Sequence, residues 1–64
     1  MKKFLIADDH AIIRYALKNI LVESYPGAVV EEAENAETLL MKVMQEPWDV
    51  VITDISMPGF YHSL

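Results

Sequence analysis

Apolar and polar residues come in short alternating blocks along the chain. Lys3-Phe4-Leu5-Ile6-Ala7 is a compact apolar run closed by Asp8 and Asp9. It is too short for a helix and predicts a buried strand. From about His10 to Ser24, Ile13, Ala16, Leu17, Ile20 and Leu21 recur at helical spacing, with Lys18, Asn19 and Glu23 elsewhere on the wheel. That pattern predicts an amphipathic helix. Tyr25-Pro26-Gly27-Ala28 ends it in a turn, because proline presets φ and glycine permits positive φ. Val29 to Ala33 predicts a second strand whose alternating glutamates suit a sheet edge. Asn35 is placed to cap a helix over Ala36 to Gln45, with Leu39, Leu40, Val43 and Met44 as its buried stripe and Pro47 as its stop. Val50-Val51-Ile52-Thr53, a β-branched run between Asp49 and Asp54, predicts a third strand.

The order β-α-β-α-β implies an α/β domain of parallel strands joined by helical crossovers. Right-handed crossovers with strand order 2-1-3 put the two helices on opposite faces of the sheet. Strands one and three are then neighbours, and in such sheets ligands gather at the carboxyl ends of the strands. Those ends carry Asp8 and Asp9 on one strand and Asp54 on the other.

Composition sharpens this picture. Sixty-four residues allow one small domain, and a domain of that size buries only about 60% of its unfolded surface. There is no cysteine, which excludes a disulfide framework and a thiolate zinc site. Yet 53% of the residues are hydrophobic. Part of the core is therefore expected from elsewhere, either another copy or a continuation of the chain. The net charge of −5 and the scatter of Lys2, Lys3, Arg14, Lys18 and Lys42 argue against direct nucleic-acid binding. No apolar run approaches the roughly 18 residues of a membrane span, and the start does not form a signal peptide. The expectation is a soluble, cytoplasmic chain.

Three carboxylates on one rim carry the chemistry. Two like charges 4 Å apart cost about 4 kcal/mol at an effective dielectric near 20. An empty cluster should raise at least one carboxylate pKa or recruit a cation. Carboxylates completed by water suit Mg²⁺, and the ion would allow one carboxylate to act as a phosphoryl-accepting nucleophile. His10 is read as an exposed residue in the first turn of the first helix, and Glu31, Glu32, Glu34 and Glu37 as a solvated edge. Met41, Met44 and Met57 are read as gap-filling packing.

Ile6-Ala7-Asp8-Asp9-His10 with Arg14, followed by Asp49-Val50-Val51-Ile52-Thr53-Asp54-Ile55-Ser56-Met57-Pro58-Gly59, resembles the receiver domain of bacterial two-component response regulators. The likeness is to the branch with helix-turn-helix output domains. It implies half of a flavodoxin-like receiver fold over residues 1–59, with 60–64 as an aberrant or foreign tail. It implies Asp54 as the residue phosphorylated by a sensor histidine kinase. Mg²⁺ would be held by Asp9 directly, Asp8 largely through water, Asp54, and the backbone carbonyl of Ser56. Pro58 and Gly59 would shape the loop after the third strand.

The resemblance also marks departures. A receiver has five strands, and this chain supplies three. The family's Ser or Thr after strand four and Lys after strand five have no counterpart, so the chain is expected to be truncated and its phosphorylation weak or absent. The alternative reading is a non-catalytic, self-associating half-fold, a homodimer formed edge to edge through the third strand, with Trp48 and the Phe60-Tyr61 tail near the junction. A phosphohydrolase with an aspartate nucleophile is disfavoured, since Asp54 is followed by Ile55-Ser56 rather than x-Asp.

Overall fold

The computed structural model describes residues 1–57. The expectations placed on Pro58, Gly59 and the tail at 60–64 lie outside the described residues. Within them the order is β1 (Lys3–Ala7), α1 (Ala11–Ser24), β2 (Val29–Ala33), α2 (Ala36–Gln45) and β3 (Val50–Thr53). The strands form one parallel sheet in the order β2-β1-β3, the expected 2-1-3 arrangement. β1 lies at its centre, with Ala7 in register with Ala33 on one side and Thr53 on the other.

Local chemistry accounts for the boundaries. Asn35 caps α2, its side-chain oxygen accepting the Thr38 N–H at 2.8 Å, as expected of an Asn N-cap. The turn after α1 closes with the Ala28 N–H donating to the Tyr25 carbonyl at 3.0 Å, and Gly27 takes φ +86°. That left-handed conformation costs a residue without a Cβ nothing. α2 gives way to an extended Glu46 just before Pro47, as a residue preceding proline must. The connection to β3 is tied back by Trp48, whose indole N–H donates to the Lys42 carbonyl at 2.9 Å. Lys3 Nζ lies 4.8 Å from the Trp48 ring centre and pairs with Glu46.

Phe4, Leu5, Ile6 and Ala7 are all buried, so β1 is apolar on both faces, the signature of a central parallel strand. Leu5, Ala7, Ala33 and Met57 make one cluster, with Ala36, Leu39 and Trp48 packed against it. On the opposite face Phe4 packs against Tyr25, the two rings tilted by 46° with centroids 5.1 Å apart. Successive strand residues point to opposite faces. Accordingly Glu31 pairs with Lys42 of α2 at 2.9 Å and Glu32 with Arg14 of α1 at 2.8 Å. The helices therefore cover opposite faces. The expectation that Glu31 and Glu32 are merely solvated is corrected, since each is half-buried and holds a helix to the edge strand.

The helix stripes also need correction. On α2, Leu39 is half-buried, but Leu40, Val43 and Met44 are 60%, 44% and 77% exposed. On α1 the half-buried positions are Arg14, Leu17 and Leu21, while Ile13 and Ile20 are exposed. The reason is geometric. Three strands give each helix a narrow surface, and its apolar stripe is wider than that surface. At β3, Val50 and Val51 are 40% and 41% exposed.

Candidate functional site

The hydrogen-bond ladders run one step beyond the strands and set the site. The Asp8 N–H donates to the Ala33 carbonyl at 3.0 Å, and the Asp54 N–H donates to the Ala7 carbonyl at 3.0 Å. Asp8 and Asp54 are thus the first residues past the carboxyl ends of adjacent strands. Each then folds its carboxylate onto its own backbone. Asp8 Oδ1 accepts the His10 N–H at 2.8 Å, and Asp54 Oδ1 accepts the Ser56 N–H at 2.9 Å. These are Asx turns, in which a side chain bonds the backbone two residues on. One local motif at each strand end aims both carboxylates at the same rim.

Asp8, Asp9, His10 and Asp54 each offer one donor atom, and these atoms lie within 4.8 Å of one another. The three aspartates expected from sequence therefore meet. Asp8 is 8% exposed, whereas the side chains of Asp9 and His10 are 34% and 61% exposed. The cluster lies on an open rim, and the described residues enclose no cavity. Ser56 also meets the cluster through its side chain. Its hydroxyl lies 2.8 Å from Asp54 Oδ1 and 2.9 Å from Oδ2 and donates to that carboxylate.

His10 is exposed as expected, but it is the residue before α1 rather than part of its first turn. Its Nδ1 lies 2.8 Å from Asp8 Oδ1 and 3.0 Å from Asp9 Oδ1. That contact answers the electrostatic problem of the cluster. The bond to Asp8, then the charges of Asp9 and Asp8, hold the imidazole above its ordinary pKa despite slight desolvation. The His10 backbone N–H holds the Asp8 carboxyl below its ordinary value against the opposing effect of burial, helped by the His10 ring and Arg14. One contact, the His10 ring against Asp8, thus contributes both to the raised pKa of His10 and to the lowered pKa of Asp8. Arg14 completes the support, donating Nη1 to the Asp8 carbonyl at 2.7 Å while Nε holds Glu32. Among the described residues no lysine pairs with Asp8, Asp9 or Asp54.

The donor set fits Mg²⁺, a hard ion that takes one or more carboxylates and keeps several waters. Sequence reasoning missed the His10 ring and the Arg14 bridge. The signal available was their position, two and six residues after Asp8, but only the strand register shows that Arg14 reaches Glu32 as well.

Residues 4–61 match the family model described as the response regulator receiver domain. Among curated proteins, the chain is 36% identical over 62 residues to the glycerol metabolism activator of Pseudomonas putida, covering 95% of this chain and 28% of that protein. It is 43% identical over 56 residues to the oxygen regulatory protein NreC of Staphylococcus carnosus (strain TM300), covering 88% of this chain and 26% of that one. A solved structure of RcsB from Salmonella enterica serovar Typhimurium, bound to promoter rprA in the presence of phosphomimetic BeF3-, superposes with a TM-score of 0.81 at 31% identity. That match covers 98% of this chain and 32% of RcsB. The chain thus spans roughly a quarter to a third of the lengths of these proteins.

Proposed function

The chain belongs to the response regulator receiver family of two-component systems, and from that premise we propose that Asp54 is its phosphoacceptor and Asp8, Asp9 and Asp54 its Mg²⁺ pocket. The observation that carries this reading is the convergence of the three carboxylates from adjacent strand ends. The phosphoryl donor is the phosphohistidine of a sensor kinase. An Asp54 oxygen attacks phosphorus, the P–N bond breaks, and its electron pair returns to the donor imidazole, which takes up a proton. Mg²⁺ held here supplies charge neutralisation between the carboxylates and the incoming phosphoryl oxygens.

This chain's own residues set the pace. The Ser56 hydroxyl donates to the Asp54 carboxylate and so lowers its nucleophilicity. With no lysine paired to the cluster among the described residues, transfer is slow. Within the matched span of residues 4–61, Ser56 would give its backbone carbonyl to the ion. Lys3, Arg14, Lys18 and Lys42 all pair with glutamates rather than forming a basic face, which supports a signalling role without direct nucleic-acid contact.

Calorimetric titration of Mg²⁺ tests the pocket. Asp9→Asn and Asp54→Asn should each weaken binding more than tenfold, a loss that even outer-shell changes reach. Unchanged affinity in both would remove the pocket from the account.

A second reading concerns assembly. β3 has a strand neighbour on one side only among the described residues, and its Val50 and Val51 are exposed. Such an edge invites a second copy, making the chain a homodimer through β3. Sedimentation equilibrium decides this. A dimer that Val51→Lys dissociates supports it, and a monodisperse folded monomer at micromolar concentration refutes it.

A further inference from the structure

We propose that the β3 side of this chain docks a separate polypeptide that adds a strand to β3 and lays one apolar-faced helix over it on each face, the remaining half of a receiver supplied in trans. The inference uses the same edge as the homodimer above and goes beyond it. It does not depend on the reading of Asp54.

Both helices lie toward the other side of the sheet. α1 packs on β1 and β2, and α2 on β2, while among the described residues neither packs comparably on β3. Register places Val50 beside Phe4 on the α1 face and Val51 beside Leu5 on the α2 face, and both valines are exposed. β3 is thus bare along its edge and on both faces. The helices repeat this asymmetry. Lys18 of α1 and Lys42 of α2 turn to the glutamates of β2. At 3.6 residues per turn, Ile13 and Ile20 fall on the flank of α1 away from Lys18, and Leu40 on the flank of α2 away from Lys42. All three are exposed, and those flanks border β3. Charge stays on the β2 side, and the surface around Val50 and Val51 is apolar between Asp49 and Asp54. The core of a protein interface is likewise depleted of charge.

The kind of partner follows from what a second copy leaves open. A two-fold axis that pairs β3 antiparallel with β3 of a copy runs perpendicular to the sheet and returns each face to itself. The copy's helices also sit over its own β1 and β2. Two bare strands then form an apolar floor on each face, about 10 Å wide at the usual strand spacing and close to the diameter of a helix. A second copy closes the edge but not this floor. A polypeptide bringing a strand with helices closes both. The chain spans only 28% and 26% of the two curated relatives and 32% of RcsB, so these proteins carry further chain from which such a partner can be drawn.

The probe is the part of the glycerol metabolism activator of Pseudomonas putida that follows the matched span to the end of its receiver domain, carried on a soluble fusion protein. Sedimentation velocity of the 64-residue chain with this probe should show a one-to-one complex, absent with the fusion protein alone and insensitive to added salt, since its contacts are apolar. Ile20→Asp and Leu40→Asp should each weaken it about tenfold or more, the scale of an interface hot spot, and so should Val51→Lys. Lys18→Ala, on the β2 side, should leave it unchanged. Far-ultraviolet circular dichroism checks the fold of each variant, and Ile20→Ala and Leu40→Ala replace either aspartate that fails. The two helix changes should spare a homodimer that Val51→Lys dissociates, which separates failure of this inference from failure of that reading. No complex, a complex indifferent to both helix changes, or a homodimer that excess probe does not displace would each overturn the proposal.

Discussion

Replacing Arg14 by Ala removes two interactions of unequal value. Its Nη1 bonds the Asp8 carbonyl at 2.7 Å, next to a residue only 8% exposed. A hydrogen bond from a charged donor contributes about 1.5 kcal/mol at the low end of its range. Its Nε bonds Glu32 at 2.8 Å, but the Glu32 side chain is 36% exposed. Solvent screening reduces that pair to about 0.5 kcal/mol. The expected loss is about 2 kcal/mol, and with a urea slope near 1 kcal/mol/M the midpoint should fall by about 2 M. Urea unfolding followed by Trp48 fluorescence measures it, in a fixed background of TMAO so that both proteins have a native baseline. Lys18→Ala is the control, since Lys18 Nζ sits 4.0 Å from Glu32 and is 46% exposed. It should shift the midpoint by less than about 0.5 M. Arg14→Lys should recover less than half, because an ammonium cannot span both acceptors as a guanidinium fork does. Equal midpoint shifts for Arg14→Ala and Lys18→Ala would refute the claim that Arg14 anchors the Asp8 turn.

Three further outcomes follow from the same geometry. Asn35→Ala should cost about 1 kcal/mol through loss of the Thr38 cap, lowering the melting temperature by about 4–8 °C, while Asn35→Asp keeps it. Met57, fully buried against Leu5, Ala7 and Ala33, should cost about 2–4 kcal/mol as Met57→Ala and under about 1.5 kcal/mol as Met57→Leu in chemical denaturation. Stability should depend on pH through Asp8 and His10. Asp8, with its folded pKa lowered, contributes above its ordinary 3.8 and loses that contribution as pH falls through the depressed value. His10, with its folded pKa raised, contributes fully below 6.5 and loses that contribution as pH rises through the raised value. His10→Ala should flatten the alkaline limb of a denaturation series, and an unchanged limb would contradict the assignment.

The strands were legible because each is a short run whose ends are marked by polar punctuation. Asp8 stops β1, Pro26-Gly27 precedes β2, and Asp49 and Asp54 bracket β3. The 2-1-3 order sets β1 beside β3, which brings Asp8 and Asp9 next to Asp54, 45 residues further along the chain than Asp9. What stayed hidden depends on register and width. Adjacent glutamates look like a solvated edge until the pleat sends Glu31 to Lys42 and Glu32 to Arg14. The apolar stripes of α1 and α2 said which way each helix faces but not how little of that face three strands would cover. His10 was discounted because exposure argues for idleness. The local Asx turn at Asp8, which positions the ring over two carboxylates, overrides that argument.

The central claim is that Asp54 is a nucleophile served by Asp8 and Asp9, and the location of a transferred phosphoryl group tests it most directly. The chain is incubated with acetyl phosphate and Mg²⁺, reduced with borohydride to trap any acyl phosphate, and mapped by peptide mass spectrometry. A slow, Mg²⁺-dependent modification confined to Asp54, absent from Asp54→Asn and diminished in Asp9→Asn, is the predicted result. Modification at another carboxylate, or labelling of Asp54 that ignores both Mg²⁺ and Asp9, would contradict the account.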